Sequence, residues 1–215
     1  MKPGLMILTL AFVACGQPQQ KPTPEPQKQA KQSPPKPVAM SPEDTAKYLE
    51  LGEELVSATK QVISAALAGA MEKGGVKHAA QFCNAAAHPI LDSLSKARGA
   101  KIRRVSDKPR NPKDAMDDEE QKVFALFKAK AQPPDAEIAP VVLQTNDSTV
   151  SFYKPIKISM PTCLKCHGEV GKDVKREDYA ILKRLYPNDE AIGYKQGDLR
   201  GMFSIRFVKT HSTTN

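Results

Sequence analysis

From Ser41 onward the chain alternates between two apolar periods, and the change of period divides it. Tyr48, Leu51, Leu55, Thr59, Val62, Ala66 and Ala70 recur three and four residues apart, the spacing of one helix face. Ser41-Pro42-Glu43-Asp44 starts this helix, with Ser as cap, Pro in the first turn and acids beside the positive end of the helix dipole. Gly74-Gly75 ends it, so residues 42–73 span about 48 Å. A second helix is expected over 76–97, rich in alanine around Cys83 and kinked or restarted at Pro89. The segment "KIRRVSDKPRNPKD" predicts a short strand and a Pro-rich loop, and "DDEEQKVFALFKAKA" predicts a third helix with acids first and lysines last. After it the period shortens to two. The stretch "EIAPVVLQTNDSTVSFYKPIKISM" predicts two or three strands turning at "TNDST". Finally Phe203, Ile205 and Phe207 alternate with polar residues as a half-buried strand. Helices first and antiparallel strands later give an α+β domain over 41–210.

The first 40 residues do not belong to that pattern. Lys2, the apolar run Leu5 to Val13 and small Ala14 form a secretory signal over 1–14, too short to span a membrane. Phe12-Val13-Ala14-Cys15 resembles a bacterial lipobox, which makes Cys15 a lipidated N-terminus and places the protein in the periplasm on a membrane surface. Gly16 after the cysteine favours the outer membrane. Residues 15–40 are Pro, Gln and Lys with almost nothing to bury, an extended tether. At ~3.1 Å per residue it reaches up to roughly 80 Å.

Charge changes the picture little. The chain has 215 residues and a net charge of +8. Half of that excess lies in residues 1–40, and in the body basic residues alternate with acidic ones, unlike the continuous basic stripe of a nucleic-acid binder. No nucleic-acid partner is expected. The partners expected are the membrane, through the lipid anchor, and a redox protein that the sequence does not name. The long helix over 42–73 would also suit a homodimer.

The candidate chemistry lies in Cys163-Leu164-Lys165-Cys166-His167. C-x-x-C-H is read three ways: haem c attachment, half of a zinc site, or a redox pair. A redox pair lacks a βαβ context and leaves His167 unexplained. Zinc would need Cys163, Cys166 and His167 completed by Cys83, with two adjacent residues both ligating one tetrahedral ion. Haem c uses all five positions: two thioethers at Cys163 and Cys166, a spacer, and His167 on the iron. One motif gives one covalent haem. For the other axial position Met116, Met160, Met202, His78, His88, His211 and Cys83 are all candidates. On a helix His78 and His88 stand about 140° from Cys83, so at most one of the three faces the iron. Cys83 lies among Ala79, Ala80, Ala86 and Ala87, small enough for a flat ring to approach the backbone. It is also a lone thiol in an oxidising compartment once Cys15, Cys163 and Cys166 are assigned. Spacing goes no further.

Four segments, "AAQFCNAAA", "IRRVSDKPRNPKDAMDDEE", "CLKCHG" and "AIGYKQGDLRGMFSIRF", lie in one order between residues 45 and 208. In these the chain resembles the single-haem c-type cytochrome family with a PAS-like haem-binding domain, found alone or in front of sensor kinases. The resemblance implies a PAS-like antiparallel sheet and long N-terminal helices packed around the haem, with His167 and Cys83 as axial ligands. Arg103, Arg104 and Arg110 match the family's basic segment, where pairing with haem propionates suits a guanidinium. Two axial ligands leave the iron no open site, so electron transfer or redox sensing is expected and enzyme activity is not. A thiolate favours Fe(III), so the potential should be low. The alternative is a gas sensor in which NO or CO displaces Cys83.

Overall fold

The computed structural model describes residues 40–209. The expected signal peptide, the lipidated Cys15, nearly all of the tether, and His211 lie outside the described residues.

Helix α1 runs Pro42–Arg98, capped by Ser41, whose Oγ accepts from the Asp44 N–H, and ended by Gly99 in the left-handed region (φ 61°). It is interrupted where the glycine pair predicts, with Gly75 at φ 61°. That break is a reversal. Arg98 stands 44 residues after Glu54, yet its Nη1 donates to Glu54 Oε1 at 2.9 Å. A continuous helix would hold the two about 66 Å apart. The arms 42–73 and 76–98 therefore fold back on each other, and Leu91 of the second arm shares a core with Tyr48, Leu55 and Val56 of the first.

Four strands follow: β1 (Ala100–Val105), β2 (Val141–Asn146), β3 (Thr149–Lys157) and β4 (Leu199–Val208). They form one antiparallel sheet in the order β1-β4-β3-β2. Ile102, Ile205 and Phe152 stand in one row across three strands. With Phe203, Phe207 and Val150 they pack against the α1 hairpin. The opposite face, with Val105, Met202 and Tyr153, is covered by Val123, Phe124 and Phe127 of helix α2 (Asp118–Lys130). The layers are thus hairpin, sheet and α2, an α+β fold. Two strands, not three, come from the 137–160 segment.

One expectation for β4 is corrected. Its residues Gly201 to Ile205 are all buried, so it is not half-buried. It lies between β1 and β3, with a layer on each face, so Met202 and Ser204 are as enclosed as Phe203 and Ile205. Among the described residues no helix is long and apolar enough to cross a membrane.

The hairpin sits very close to the sheet at Gly52. A Cβ there would fall 2.2–2.6 Å from the Phe152 ring, and Phe152 has no exposed surface. In a free helix Gly→Ala stabilises by roughly 0.5–1 kcal/mol. Here the sign reverses: Gly52→Ala is expected to destabilise by about 1–3 kcal/mol, the usual cost of overpacking. A chemical denaturation midpoint at or above wild type would show that the interface yields instead.

Candidate functional site

Cys163, Cys166 and His167 share a short helix, α3 (Pro161–His167), begun by Pro at its first position. Glycine is required next. A Cβ at Gly168 would stand 2.4 Å from Asp173 Cβ and 2.7 Å from the Leu164 carbonyl oxygen. That close turn lets the 191–194 loop grip the end of α3. The Tyr194 N–H donates to the His167 carbonyl at 2.9 Å and the Gly193 N–H to the Gly168 carbonyl at 3.0 Å.

His167 is held by its ring as well. Nδ1 lies 2.9 Å from the Ala191 carbonyl oxygen, a contact only an N–H can satisfy, so Nδ1 carries the proton. The Arg200 Nε–H approaches the same nitrogen at a longer 3.4 Å and cannot be its primary partner. Nε2 therefore keeps its lone pair, the arrangement of a metal-ligating histidine. Burial first, then Arg110 and Arg200, hold the ring pKa well below its ordinary value, which keeps the ring neutral.

Cys83 approaches from the second arm of α1. This part of the arm packs on helix α4 (Arg176–Leu185): Ala80 is buried with Val174 and Leu182, and Asn84 Nδ2 donates to the Leu185 carbonyl at 3.4 Å. Burial pushes the Cys83 thiol up, opposed by Arg104 and Arg110. The Cys166 thiol is raised by burial, opposed by Arg110 and raised further by Cys83. Tyr186 is pushed up to about 12, by burial first and Cys83 next. Cys83 thus lies within electrostatic reach of Cys166, Arg104, Arg110 and Tyr186.

The other candidates for the position opposite His167 are placed differently. Met116 and Met202 belong to the core on the α2 face of the sheet. Met160 is 55% exposed, His78 is exposed, and His88 Nε2 is held by Asp114 at 2.9 Å. Among the described residues no three His, Cys, Asp or Glu side chains converge as a metal-ion cluster.

The three arginines have separate surroundings. Arg103 points to the α2 face, where Nη1 donates to both carboxylate oxygens of buried Glu120 at 2.8 Å and Nη2 to the Ala115 carbonyl. Arg110 Nε donates to Asp189 at 3.0 Å, and its Nη2 reaches the carbonyls of Cys166 and Ala191. Both are engaged within the protein, Arg110 as a clasp on α3. Arg104 differs. It shares the α1 face of β1 with Ile102, and its Nε is buried with no hydrogen-bond partner among the described residues. It also lines a groove of about 610 Å³ between α1 and β1, which none of the cysteines reaches.

Asp189, Ala191, Tyr194 and Arg200 did not emerge from the sequence as site residues, though "AIGYKQGDLRG" carries most of them. Their roles depend on long-range hydrogen bonds, and the spacing of that segment contains no sign of them.

The family model Tll0287-like: Tll0287 matches residues 25–207. The crystal structure of the cyanobacterial heme-protein Tll0287 aligns with a TM-score of 0.53 at 22% identity, covering 80% of this chain and 98% of that one. That likeness shows a shared fold. No curated protein sequence matches the chain significantly. With its family match running from the tether to the last residues of β4, the chain belongs to the Tll0287-like family.

Proposed function

We propose that this protein is a periplasmic, lipid-anchored single-haem c-type cytochrome that carries or senses electrons, with His167 and Cys83 as axial ligands. The observation that carries the reading is His167: its proton is fixed on Nδ1 by the Ala191 carbonyl, its Nε2 is free, and two cysteines stand on the same helical turn. Two further features fit a haem. Arg104 brings a buried, unpartnered Nε that a propionate would satisfy. The Ala79–Ala87 stretch presents small side chains around Cys83. The family's structural neighbour is itself named a heme-protein.

In this reading Cys163 and Cys166 hold the cofactor by thioethers, and bound haem supplies a one-electron couple. The protein's share is positional. Arg110 and the Tyr194 and Gly193 amides hold α3 against the 191–194 loop, and Ala191 fixes which nitrogen of His167 is the donor. Two protein ligands leave no place for a substrate, so electron exchange, not turnover, is the proposed role.

The test is expression with and without a cytochrome c maturation system, followed by a haem-stained denaturing gel. The protein is expected to keep its haem through denaturation only when matured. The double variant Cys163→Ser/Cys166→Ser should lose the stain completely while retaining its helical circular dichroism. A matured wild type that loses its haem on denaturation overturns the covalent assignment.

A further inference from the structure

The side of His167 away from its free nitrogen holds a cation without an anion. Arg200 Nε lies 3.4 Å from His167 Nδ1. Its Nη1 donates to Ser106 Oγ at 2.6 Å and to the Lys108 carbonyl at 3.3 Å. Its guanidinium lies 5.3 Å from the centre of the Tyr194 ring, and that ring stands edge-on to His167 with centroids 6.3 Å apart. Every one of these partners is neutral.

The neighbouring carboxylates are already matched, and a second cation, Lys108 Nζ, lies 5.7 Å from the centre of the same Tyr194 ring. Arg110 has Asp189, and Asp114 faces His88. Arg200 enters no ion pair among the described residues. Nor is it loosely placed. Ser106 is 3% exposed. Its hydroxyl donates to the Arg200 carbonyl at 2.8 Å while accepting from the Lys108 N–H and from Arg200 Nη1. The backbone and side chain of Arg200 are therefore fixed through a single hydroxyl. An enclosed charge without a counter-charge is costly as pure scaffolding, and such groups concentrate where a field is wanted.

We infer that Arg200 is a positioning residue for His167 whose fixed positive charge raises the reduction potential of the metal that His167 binds, offsetting the electron donation of Cys83. The inference rests on the haem reading above. Its electrostatics are simple. Reduction adds one electron, so a fixed cation nearby favours the reduced form. Removing a unit charge within a residue's length, in a half-buried setting, changes such an equilibrium by about tenfold.

The test is spectroelectrochemical titration of the haem-loaded wild type, Arg200→Gln, Arg200→Met and Arg200→Lys, with EPR of each oxidised form. Arg200→Gln and Arg200→Met should shift the oxidised-to-reduced ratio about tenfold toward oxidised, a fall of about 59 mV for one electron. Arg200→Lys should stay close to wild type, and all four should keep the same low-spin g-values. The methionine variant keeps an apolar stem on Tyr194, so the test survives if the glutamine variant fails to fold. Unchanged potentials in the neutral variants overturn the inference, as does a lysine variant that falls as far as glutamine, because shape and not charge would then be the cause. A haem-stained gel of the wild type comes first: absence of covalent haem there overturns the underlying reading, and is told apart from a failure of Arg200 alone.

Discussion

Cys83→Ala is expected to give a stably folded, haem-loaded protein with a different iron. The thiolate type of low-spin EPR signal, with its compressed spread of g-values, should vanish. The potential should rise by at least the tenfold in equilibrium constant that equals about 59 mV for one electron, because a donor that favours Fe(III) has gone. The reduced variant should also change its absorbance on exposure to CO, since the position opposite His167 is now vacant. The variant is clean because alanine is the best helix former, and Cys83 lies in a helix next to Ala85, Ala86 and Ala87. No new polar group is buried. If the potential and the EPR spectrum match wild type, Cys83 is not a ligand. The nearest substitutes would then have to leave their present places: His88 from Asp114, or exposed His78. The same CO experiment on reduced wild type separates the two roles proposed for the thiolate. A plain electron carrier ignores the gas, whereas a gas sensor releases Cys83 and binds it.

Local signals made the scaffold legible. The glycine pair at 74–75, the Ser41 cap, the acidic start of α2 and the "TNDST" turn each act within a few residues of themselves, and each appears where the sequence places it. The C-x-x-C-H motif is local in the same way, all five of its residues lying in α3. What the sequence hid is long-range. Helix α3 has 7 residues, too few turns for a periodic signal to develop. Three arginines within eight positions look alike in sequence, yet their surroundings depend on Glu120, 17 residues from Arg103, and Asp189, 79 residues from Arg110. Arg200 faces His167 across 33 residues. The burial of β4 on both faces follows from its central place in the sheet, which strand order decides and periodicity does not.

The separation of Arg103 from the site leads to the largest stability effect. Glu120→Ala is expected to destabilise the protein by about 3 kcal/mol, the lower end of the range for breaking a buried ion pair. The lower end applies because the Arg103 side chain keeps 23% of its surface while that of Glu120 keeps none. Three hydrogen bonds end at once, both from Arg103 to the carboxylate and the one from the Asp117 N–H that Glu120 Oε2 accepts to complete the α2 capping box, and with them the 3.8 Å ion pair of Glu120 with Arg206. Asp117 shares this corner. Burial pushes its carboxyl up, but the Glu120 N–H, Arg206 and Arg103 outweigh that and hold it below its ordinary value. A depressed carboxyl contributes stability above its unfolded pKa and loses it as pH falls through the folded value, so this corner should also open first in acid. For a domain of this size 3 kcal/mol corresponds to roughly 6–12 °C in Tm. Calorimetry of Glu120→Ala beside Arg103→Met/Glu120→Leu gives the decisive comparison. The double variant should recover most of the loss, because apolar replacement of a whole buried pair is often near neutral. Below their melting points both should keep the wild-type EPR spectrum and potential, since this network lies on the α2 face of the sheet and Cys83 lies on the opposite side. A shifted potential in Arg103→Met/Glu120→Leu would instead return Arg103 to the haem, and the division of labour among the arginines would have to be redrawn.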